Sequence, residues 1–192
     1  MKQSKKFAVT GGIGSGKSAL INILKELGYP VFSCDEIYAE LRREEGYLEK
    51  LSKEFDECVK DGHFDFTLLS RLVFSSKEAR DRLNALSHPL IMERLLKSME
   101  GHEVAFAEVP LLFEGGYETL FDDVIAVVRR EDERIAAVCR RDRLSKEEVR
   151  SRIAAQTDER TYRAKGAYIV VNDGSLIHLK KKAEDLLKAL GL

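Results

Sequence analysis

The chain has 192 residues, of which 44% are hydrophobic, and its formal net charge at pH 7 is −1. This length supports one sizeable core, and a charge near zero gives no electrostatic case for a nucleic-acid or membrane partner. The three cysteines are widely scattered, and neither a signal-peptide pattern nor a membrane-spanning run is found. These features predict a soluble, cytoplasmic protein with reduced thiols.

The beginning of the chain alternates between strand and helix patterns. The apolar run Lys6–Thr10 predicts a strand that leads into glycines, and Ser18–Leu27 has apolar residues at helical spacing. Pro30–Ser33 predicts a short second strand. Strands alternating with helices are typical of an α/β protein with a parallel sheet.

The middle of the chain changes character. From Asp35 to about Glu100, apolar residues recur at helical spacing and no strand is predicted. Gly62, the Ser75–Ser76 pair and the His88–Pro89 step interrupt these helical patterns, and His88–Pro89 favours a helix start. We therefore predict a helical lobe at about residues 36–100, inserted between the second and third strands.

Three more strands are predicted in the second half of the chain, at Glu103–Val109, Asp123–Val128 and Ala167–Val171. They bring the predicted parallel sheet to five strands. The helical stretch 129–165 between the last two holds ten Arg and two Lys against eight Asp and Glu. An amphipathic helix ends the chain, with apolar residues that begin at Leu176.

The segment Gly11–Ser18 matches the pattern G-x-x-x-x-G-K-[ST] in full, with a strand before it and an amphipathic helix after it. Glycines allow backbone N–H groups to point at phosphate oxygens, and the helix start adds its positive end. Lys17 is expected to reach the β and γ phosphates, and the Ser18 hydroxyl to bind magnesium. The predicted nucleotide contacts are Gly12, Ile13, Gly14, Ser15, Gly16, Lys17, Ser18 and Ala19.

Two acidic residues follow predicted strands. Asp35 lies just past the second strand, and ligands of open parallel sheets collect at the carboxyl ends of strands. It either orients the hydroxyl group of a phosphate acceptor and takes its proton, or caps the following helix, and both interpretations stay open. Glu108 ends the third strand, where it acts on magnesium or its water shell or is a surface carboxylate.

Basic and polar residues of the last third are further candidates. Arg140, Arg141, Arg143 and Arg152 either neutralise phosphate charge from a mobile flap or form an ion-paired, solvated helix face. We expect two of the four to contact phosphate or base. The Asn172–Ser175 turn has the composition of a turn plus helix cap, and it follows the last strand.

An ordered set of motifs makes the chain resemble the dephospho-CoA kinase family along nearly its whole length. The motifs are TGGIGSGKS (Thr10–Ser18), the Asp35 in FSCDEI, LNALSHPLI (Leu83–Ile91), VPLLFE (Val109–Glu114), RDRLSKEEVRSRIAAQ (Arg141–Gln156) and VNDGS (Val171–Ser175). The P-loop is generic to many NTPases, whereas the later motifs are much more specific.

The resemblance implies that ATP and Mg²⁺ phosphorylate the ribose 3′-hydroxyl of dephospho-CoA, which gives CoA and ADP in the last step of CoA biosynthesis. It also implies a three-layer P-loop NTPase fold: a core at about 1–35, 101–130 and 166–192, an acceptor-binding lobe at 36–100 and a lid at 131–165. The residue roles that it implies are catalytic for Lys17, Asp35, Arg141 and Arg152, substrate-binding for Asp35, His88, Glu108 and Leu111, and nucleotide-binding for Arg141 and Asn172.

Three positions depart from the family pattern. Glu108 stands where Asp is common, Tyr168 stands where Asp is common, and Ala137 stands one turn before Arg141 where Arg is common. The longer Glu108 side chain favours a water-mediated rather than a direct contact with the metal.

Two alternative functions compete with this one. A kinase for another small acceptor, such as a nucleoside monophosphate, would share the fold and most site residues. A GTP-switch protein would need a base-reading N-K-x-D motif and a D-x-x-G after a strand. Neither occurs, and Arg129–Arg130–Glu131 and Asn172–Asp173–Gly174 follow the fourth and fifth strands.

Overall fold

A computed structural model of the protein describes residues 4–192. The strands are β1 (Lys5–Thr10), β2 (Val31–Ser33), β3 (Val59–Lys60), β4 (His63–Phe64), β5 (Val104–Glu108), β6 (Asp123–Val128) and β7 (Tyr168–Val171). The α-helices are α1 (Lys17–Glu26), α2 (Cys34–Leu41), α3 (Glu45–Glu54), α4 (Phe66–Ser75), α5 (Lys77–Ser98), α6 (Glu131–Asp142), α7 (Lys146–Ala154), α8 (Glu159–Ala164) and α9 (Leu176–Ala189).

The chain divides into two compact units. One contains the chain up to Phe32 and from Met99 onwards, and the other is Ser33–Ser98. The segment 131–165 belongs to the first unit. None of the helices within residues 4–192 is long and apolar enough to cross a bilayer.

A five-stranded parallel sheet with the order β2-β5-β1-β6-β7 organises the first unit, which confirms the predicted fold class. The central strand β1 pairs with β5 and β6, so that Phe7 lies opposite Phe106 and Val9 lies opposite both Glu108 and Ile125. The apolar residues of these strands are buried on both faces, as parallel strands require. That burial explains why the strands read as continuous apolar runs.

Helices α1 and α9 complete this core. Leu20 and Leu24 of α1 and Leu179, Ala183 and Leu187 of α9 join the strand side chains in one buried cluster. Their helical spacing places them on a single face of each helix. The first helix therefore begins directly after the glycine-rich loop, with its apolar face fixed in the core.

The second unit consists of α2 to α5 and a two-stranded hairpin. The expectation of a lobe without strands was wrong, because Val59–Lys60 pairs antiparallel with His63–Phe64. Asp61 and Gly62 turn the chain between the two strands with φ of 48° and 78°. Asp-Gly is a favoured two-residue hairpin turn, and it ends the apparent helical repeat that includes Val59.

The helix start expected at His88–Pro89 was also wrong. Both residues lie inside α5, which runs without interruption from Lys77 to Ser98. Proline removes one backbone donor, so the carbonyl of Ala85 loses its usual partner. The buried face of α5, which includes Ile91 and Leu95, keeps the helix continuous despite this cost.

Candidate active site

The glycine-rich loop links the end of β1 to the first residue of α1. Two of its glycines are required by close packing. A Cβ at Gly11 would lie 2.5 Å from the carbonyl oxygen of Val127 in β6. Gly16 has φ of 93°, and a Cβ there would overlap the side-chain nitrogen of Asn172. The loop is thus pressed against β6 and against the turn that follows β7.

Three side chains from distant parts of the sequence hold the loop backbone. The Ile13 N–H donates to Gln156 Oε1 at 2.7 Å, and Arg134 Nε donates to the Ile13 carbonyl at 2.9 Å. Asn172 Nδ2 donates to the Ser15 carbonyl at 2.9 Å. The conformation of the loop is therefore stabilised by side chains that lie far from it in the sequence.

The remaining backbone donors of the loop have a clear pattern. The Ser15 N–H donates to the Gly12 carbonyl at 3.1 Å, and the Ala19 N–H donates to the Gly16 carbonyl at 3.0 Å. Within residues 4–192, the N–H groups of Gly14, Gly16 and Ser18 donate to no protein group. Unpaired amides at a glycine-rich turn and a helix N-terminus suit a phosphate group.

Two charged residues of the first unit meet beside the loop. Lys17 Nζ lies 3.8 Å from Glu108 Oε1, and their side chains are only 15% and 16% exposed. The parallel register sets this contact, because Glu108 lies opposite Val9 at the end of β1. The structure therefore brings together the predicted phosphate-binding lysine and the predicted strand-end acid.

The donor chemistry at this place fits magnesium. Ser18 lies in the first turn of α1 with an exposed side chain, and the Glu108 carboxylate supplies further oxygen. In the part of the chain that the structure describes, no group of three or more His, Cys, Asp or Glu forms a metal cage. Mg²⁺ is commonly held by one or two protein oxygens, phosphate oxygens and water, so this small donor set is sufficient.

The loop after β5 packs against the α7–α8 connection. Leu111 is 40% exposed, and its carbonyl accepts from the Gly115 N–H at 3.0 Å. Glu114 Oε1 accepts from the Thr157 N–H at 2.8 Å. Phe113 and Tyr162 bring their rings to 5.4 Å. These contacts anchor residues next to Gln156, which itself holds the glycine-rich loop.

In the second unit, Asp35 is exposed in the first turn of α2. The N-cap of that helix is Ser33, whose side chain makes no capping hydrogen bond. Asp35 therefore does not serve as the N-cap, although a carboxylate in the first turn still favours the helix dipole. Its side chain is exposed to solvent and makes no hydrogen bond within residues 4–192.

His88 is half-buried in α5, and this burial lowers the pKa of its imidazole from the usual value. A lowered pKa keeps the ring neutral at pH 7. The preceding residue, Ser87, is buried, and its hydroxyl oxygen lies 2.6 Å from the Tyr47 hydroxyl. The backbone around His88 is therefore fixed by a polar contact inside the helical unit.

Comparison with known proteins identifies the family. The family model for dephospho-CoA kinase matches residues 6–178. This chain belongs to the dephospho-CoA kinase family. A dephospho-CoA kinase from Thermus thermophilus is 37% identical over 184 residues, which cover 95% of this chain and 90% of the relative.

Two solved structures are similar over nearly the whole chain. A crystal structure of a Thermus thermophilus protein has a TM-score of 0.82 and 37% identity, and it covers 98% of this chain and 97% of its own. A dephospho-CoA kinase from Campylobacter jejuni has a TM-score of 0.71 and 28% identity, with 98% of both chains covered. Both similarities extend over 98% of this chain.

The two arginines expected at the phosphates of this dephospho-CoA kinase family member are ion-paired or exposed. Arg141 forms a bidentate pair with Asp142 at 2.7 and 2.8 Å. Arg152 is exposed in α7. Neither makes a hydrogen bond to the phosphate loop within the described residues, and Arg143 ends α6 with φ of 57°.

Sequence reasoning did not assign two residues that do contact the loop, Arg134 and Gln156. Gln156 was visible as the last residue of the RDRLSKEEVRSRIAAQ motif, which was the available signal. Nothing in the sequence separates Arg134 from the other nine arginines of 129–165. Asn172 was expected near the base, and its side-chain N–H donates to the loop carbonyl of Ser15.

Proposed function

We propose that this chain transfers the γ-phosphoryl group of ATP to the ribose 3′-hydroxyl of dephospho-CoA, which gives CoA and ADP in the last step of CoA biosynthesis. The supporting observation is a phosphate loop with three unpaired amides beside Lys17, in a chain of this family. The small-molecule substrate follows from the family, and the three cysteines are thiols rather than disulfides within residues 4–192, which suits the reducing cytoplasm.

On the ATP side, the amides of Gly14, Gly16 and Ser18 bind phosphate oxygens. Lys17 leaves Glu108 and reaches the β and γ phosphates, where the negative charge of a triphosphate offers a stronger partner than one carboxylate. These fixed donors stabilise the charge on the transferring group without any reorganisation during the reaction.

The metal-binding role belongs to Ser18 and Glu108. Ser18 would hold the ion through its hydroxyl oxygen, and Glu108 would hold it through water. A magnesium ion held by these residues would supply positive charge that offsets the negative charge of the phosphates. The near-burial of Glu108 holds its carboxylate in place and strengthens these interactions.

On the acceptor side, Asp35 orients the 3′-hydroxyl group and takes its proton as the oxygen attacks the γ-phosphorus. The bond from the γ-phosphorus to the β-phosphate oxygen breaks, and ADP leaves with that electron pair. The exposed, uncommitted carboxylate of Asp35 suits this role. We assign His88, as a neutral ring, and Leu111 to acceptor binding, Arg141 and Arg152 to the lid, and Asn172 to the adenine side.

The reaction is tested by incubating the protein with ATP, Mg²⁺ and dephospho-CoA and measuring CoA by mass-resolved chromatography. AMP and other nucleoside monophosphates serve as competing acceptors. We expect CoA to form with dephospho-CoA alone. Phosphorylation of AMP in preference to dephospho-CoA would replace this proposal with the nucleoside monophosphate kinase alternative.

The role of Asp35 has a matched control next to it. Asp35→Asn should lower kcat by about 10²- to 10⁴-fold, the usual contribution of a positioned general base, and spare ATP affinity. Glu36→Gln removes the other first-turn acid of α2 and should retain wild-type turnover. Near-normal turnover of Asp35→Asn would exclude Asp35 as the base while leaving the reaction itself intact.

A further inference from the structure

Arg134 contacts the glycine-rich loop at two neighbouring residues. It lies in α6, and its Nε donates to the carbonyl of Ile13 at 2.9 Å. Its Nη2 lies so close to Gly12 that a Cβ on that glycine would overlap it. The Gln156 side-chain oxygen would also be within 3.2 Å of such a Cβ. The guanidinium group therefore lies directly against the loop that binds phosphate.

The charge on Arg134 is not neutralised by a carboxylate. Its Nη2 is buried and has no hydrogen-bond partner within residues 4–192. No ion pair joins Arg134 to an acid in the same part of the chain. Other arginines of the 129–165 segment do pair with acids: Arg129 with Glu133, Arg130 with Asp132, Arg141 with Asp142, Arg150 with Glu147 and Arg163 with Glu159.

Burial acts against this charge. It lowers the pKa of the Arg134 guanidinium from its usual value, with weaker opposite effects from Tyr162 and Glu131. A guanidinium group stays charged even so. A buried N–H donor without a hydrogen-bond partner costs stability. That cost is offset if a bound ligand supplies the partner for Nη2.

We propose that Arg134 binds the phosphates of ATP directly, with Nε fixed on Ile13 and Nη2 donating to a phosphate oxygen. The planar guanidinium suits this double task, because its nitrogens point in different fixed directions. The unpaired amides of Gly14 and Gly16 belong to the same loop. An anion bound there would therefore accept hydrogen bonds from the loop amides and from the Arg134 guanidinium. This inference rests on the proposed use of ATP.

Gln156 acts as a positioning residue in this arrangement. It accepts from the Ile13 N–H at 2.7 Å, while Arg134 donates to the carbonyl of the same residue. Ile13 is therefore held at both of its backbone polar groups, and the guanidinium that is bonded to it is oriented as well. Gln156→Ala should lower ATP affinity less than loss of Arg134, since it removes no contact to phosphate.

The test compares Arg134→Met with Arg130→Met by isothermal titration calorimetry, using ATP with Mg²⁺ and, separately, inorganic pyrophosphate. Arg130 lies at the start of the same helix and is 71% exposed, so its variant removes one positive charge without touching the loop. Arg134→Met should weaken both probes by about 10- to 100-fold, the effect of losing one charge-assisted hydrogen bond. Arg130→Met should bind both like the wild type.

Arg134→Lys and thermal unfolding without ligand separate this proposal from a purely structural role. Lysine keeps the charge but cannot hold Ile13 and a phosphate together, so its ATP affinity should fall between those of the wild type and Arg134→Met. Weakened ATP but unchanged pyrophosphate would indicate a base contact and overturn the proposal. A lower thermal unfolding midpoint of Arg134→Met with both affinities retained would also overturn the proposal. A wild type that binds no ATP would instead refute the proposed function.

Discussion

The hydrogen bond from Asn172 to the phosphate loop is a direct test of what holds that loop in place. Asn172 Nδ2 donates to the Ser15 carbonyl at 2.9 Å, and the two residues are 9% and 1% exposed. Asn172→Ala removes the donor and retains the backbone bond from the Asn172 N–H to the Val128 carbonyl. The Ser15 carbonyl then stays buried without this partner.

The size of the effect follows from that buried acceptor. An unsatisfied buried polar group costs about 1–3 kcal/mol, so the free energy of unfolding should fall by this amount. With an m-value of about 2 kcal/mol/M for urea, the unfolding midpoint should fall by about 0.5–1.5 M. Circular dichroism during urea titration measures the shift, since the chain has no tryptophan for fluorescence.

The neighbouring Asp173 provides the control. It pairs with Lys182 on the surface, where the two side chains are 53% and 38% exposed. Exposed ion pairs contribute little to stability, so Asp173→Ala should leave the midpoint nearly unchanged. Equal midpoints for Asn172→Ala and Asp173→Ala would refute the reasoning, because the buried bond would then contribute no more than a surface ion pair.

Two further predictions concern Gly16 and His88. Gly16→Ala should destabilise the protein, because its φ of 93° is unfavourable for alanine and the new Cβ overlaps Asn172. The Gly16→Ala, Asn172→Ala double variant should lose less free energy of unfolding than the sum of the two single variants, because the overlap is gone. Strictly additive shifts of the urea midpoint would contradict this. Burial lowers the folded-state pKa of His88 below the unfolded value of 6.5, so the unfolded chain binds the proton first. The stability that His88 contributes should be complete above about pH 6.5 and should fall as the pH drops towards the folded-state pKa. His88→Gln should therefore flatten the pH dependence of the urea midpoint in that window. An unchanged pH dependence would argue against burial of a neutral ring.

The sequence was sufficient where one physical requirement dominates a segment. Burial on both faces makes the central strands continuously apolar, so Asp123–Val128 was predicted with the bounds that the structure has. The phosphate loop was predicted because close backbone packing and phosphate binding both demand glycine at fixed spacing. Strand register places Glu108 opposite Val9 near the start of this loop, and the loop carries Lys17 at the first residue of α1 to within 3.8 Å of it.

Sequence reasoning failed where tertiary packing outweighs a local signal. Pro89 indicates a helix start, yet α5 continues through it because its buried face is long enough to offset one lost hydrogen bond. Val59 continues a helical repeat, yet the Asp61–Gly62 turn pairs it with Phe64 in a hairpin. Both errors come from reading a short pattern without the elements that pack against it.

The helical phase of α6 explains why Arg134, and not Arg141, touches the loop. Residues four and seven positions apart share one helix face, so Arg134, Val138 and Arg141 project from the same side. A Cβ at Gly14 would meet both Val138 and Arg134, which identifies this side as the one that faces the loop. Arg141 lies seven residues further on, about 10 Å along the helix axis, and pairs with Asp142. A triphosphate bound at the loop therefore meets Arg134 first, and a role for Arg141 requires movement of its own side chain or of the helix that carries it.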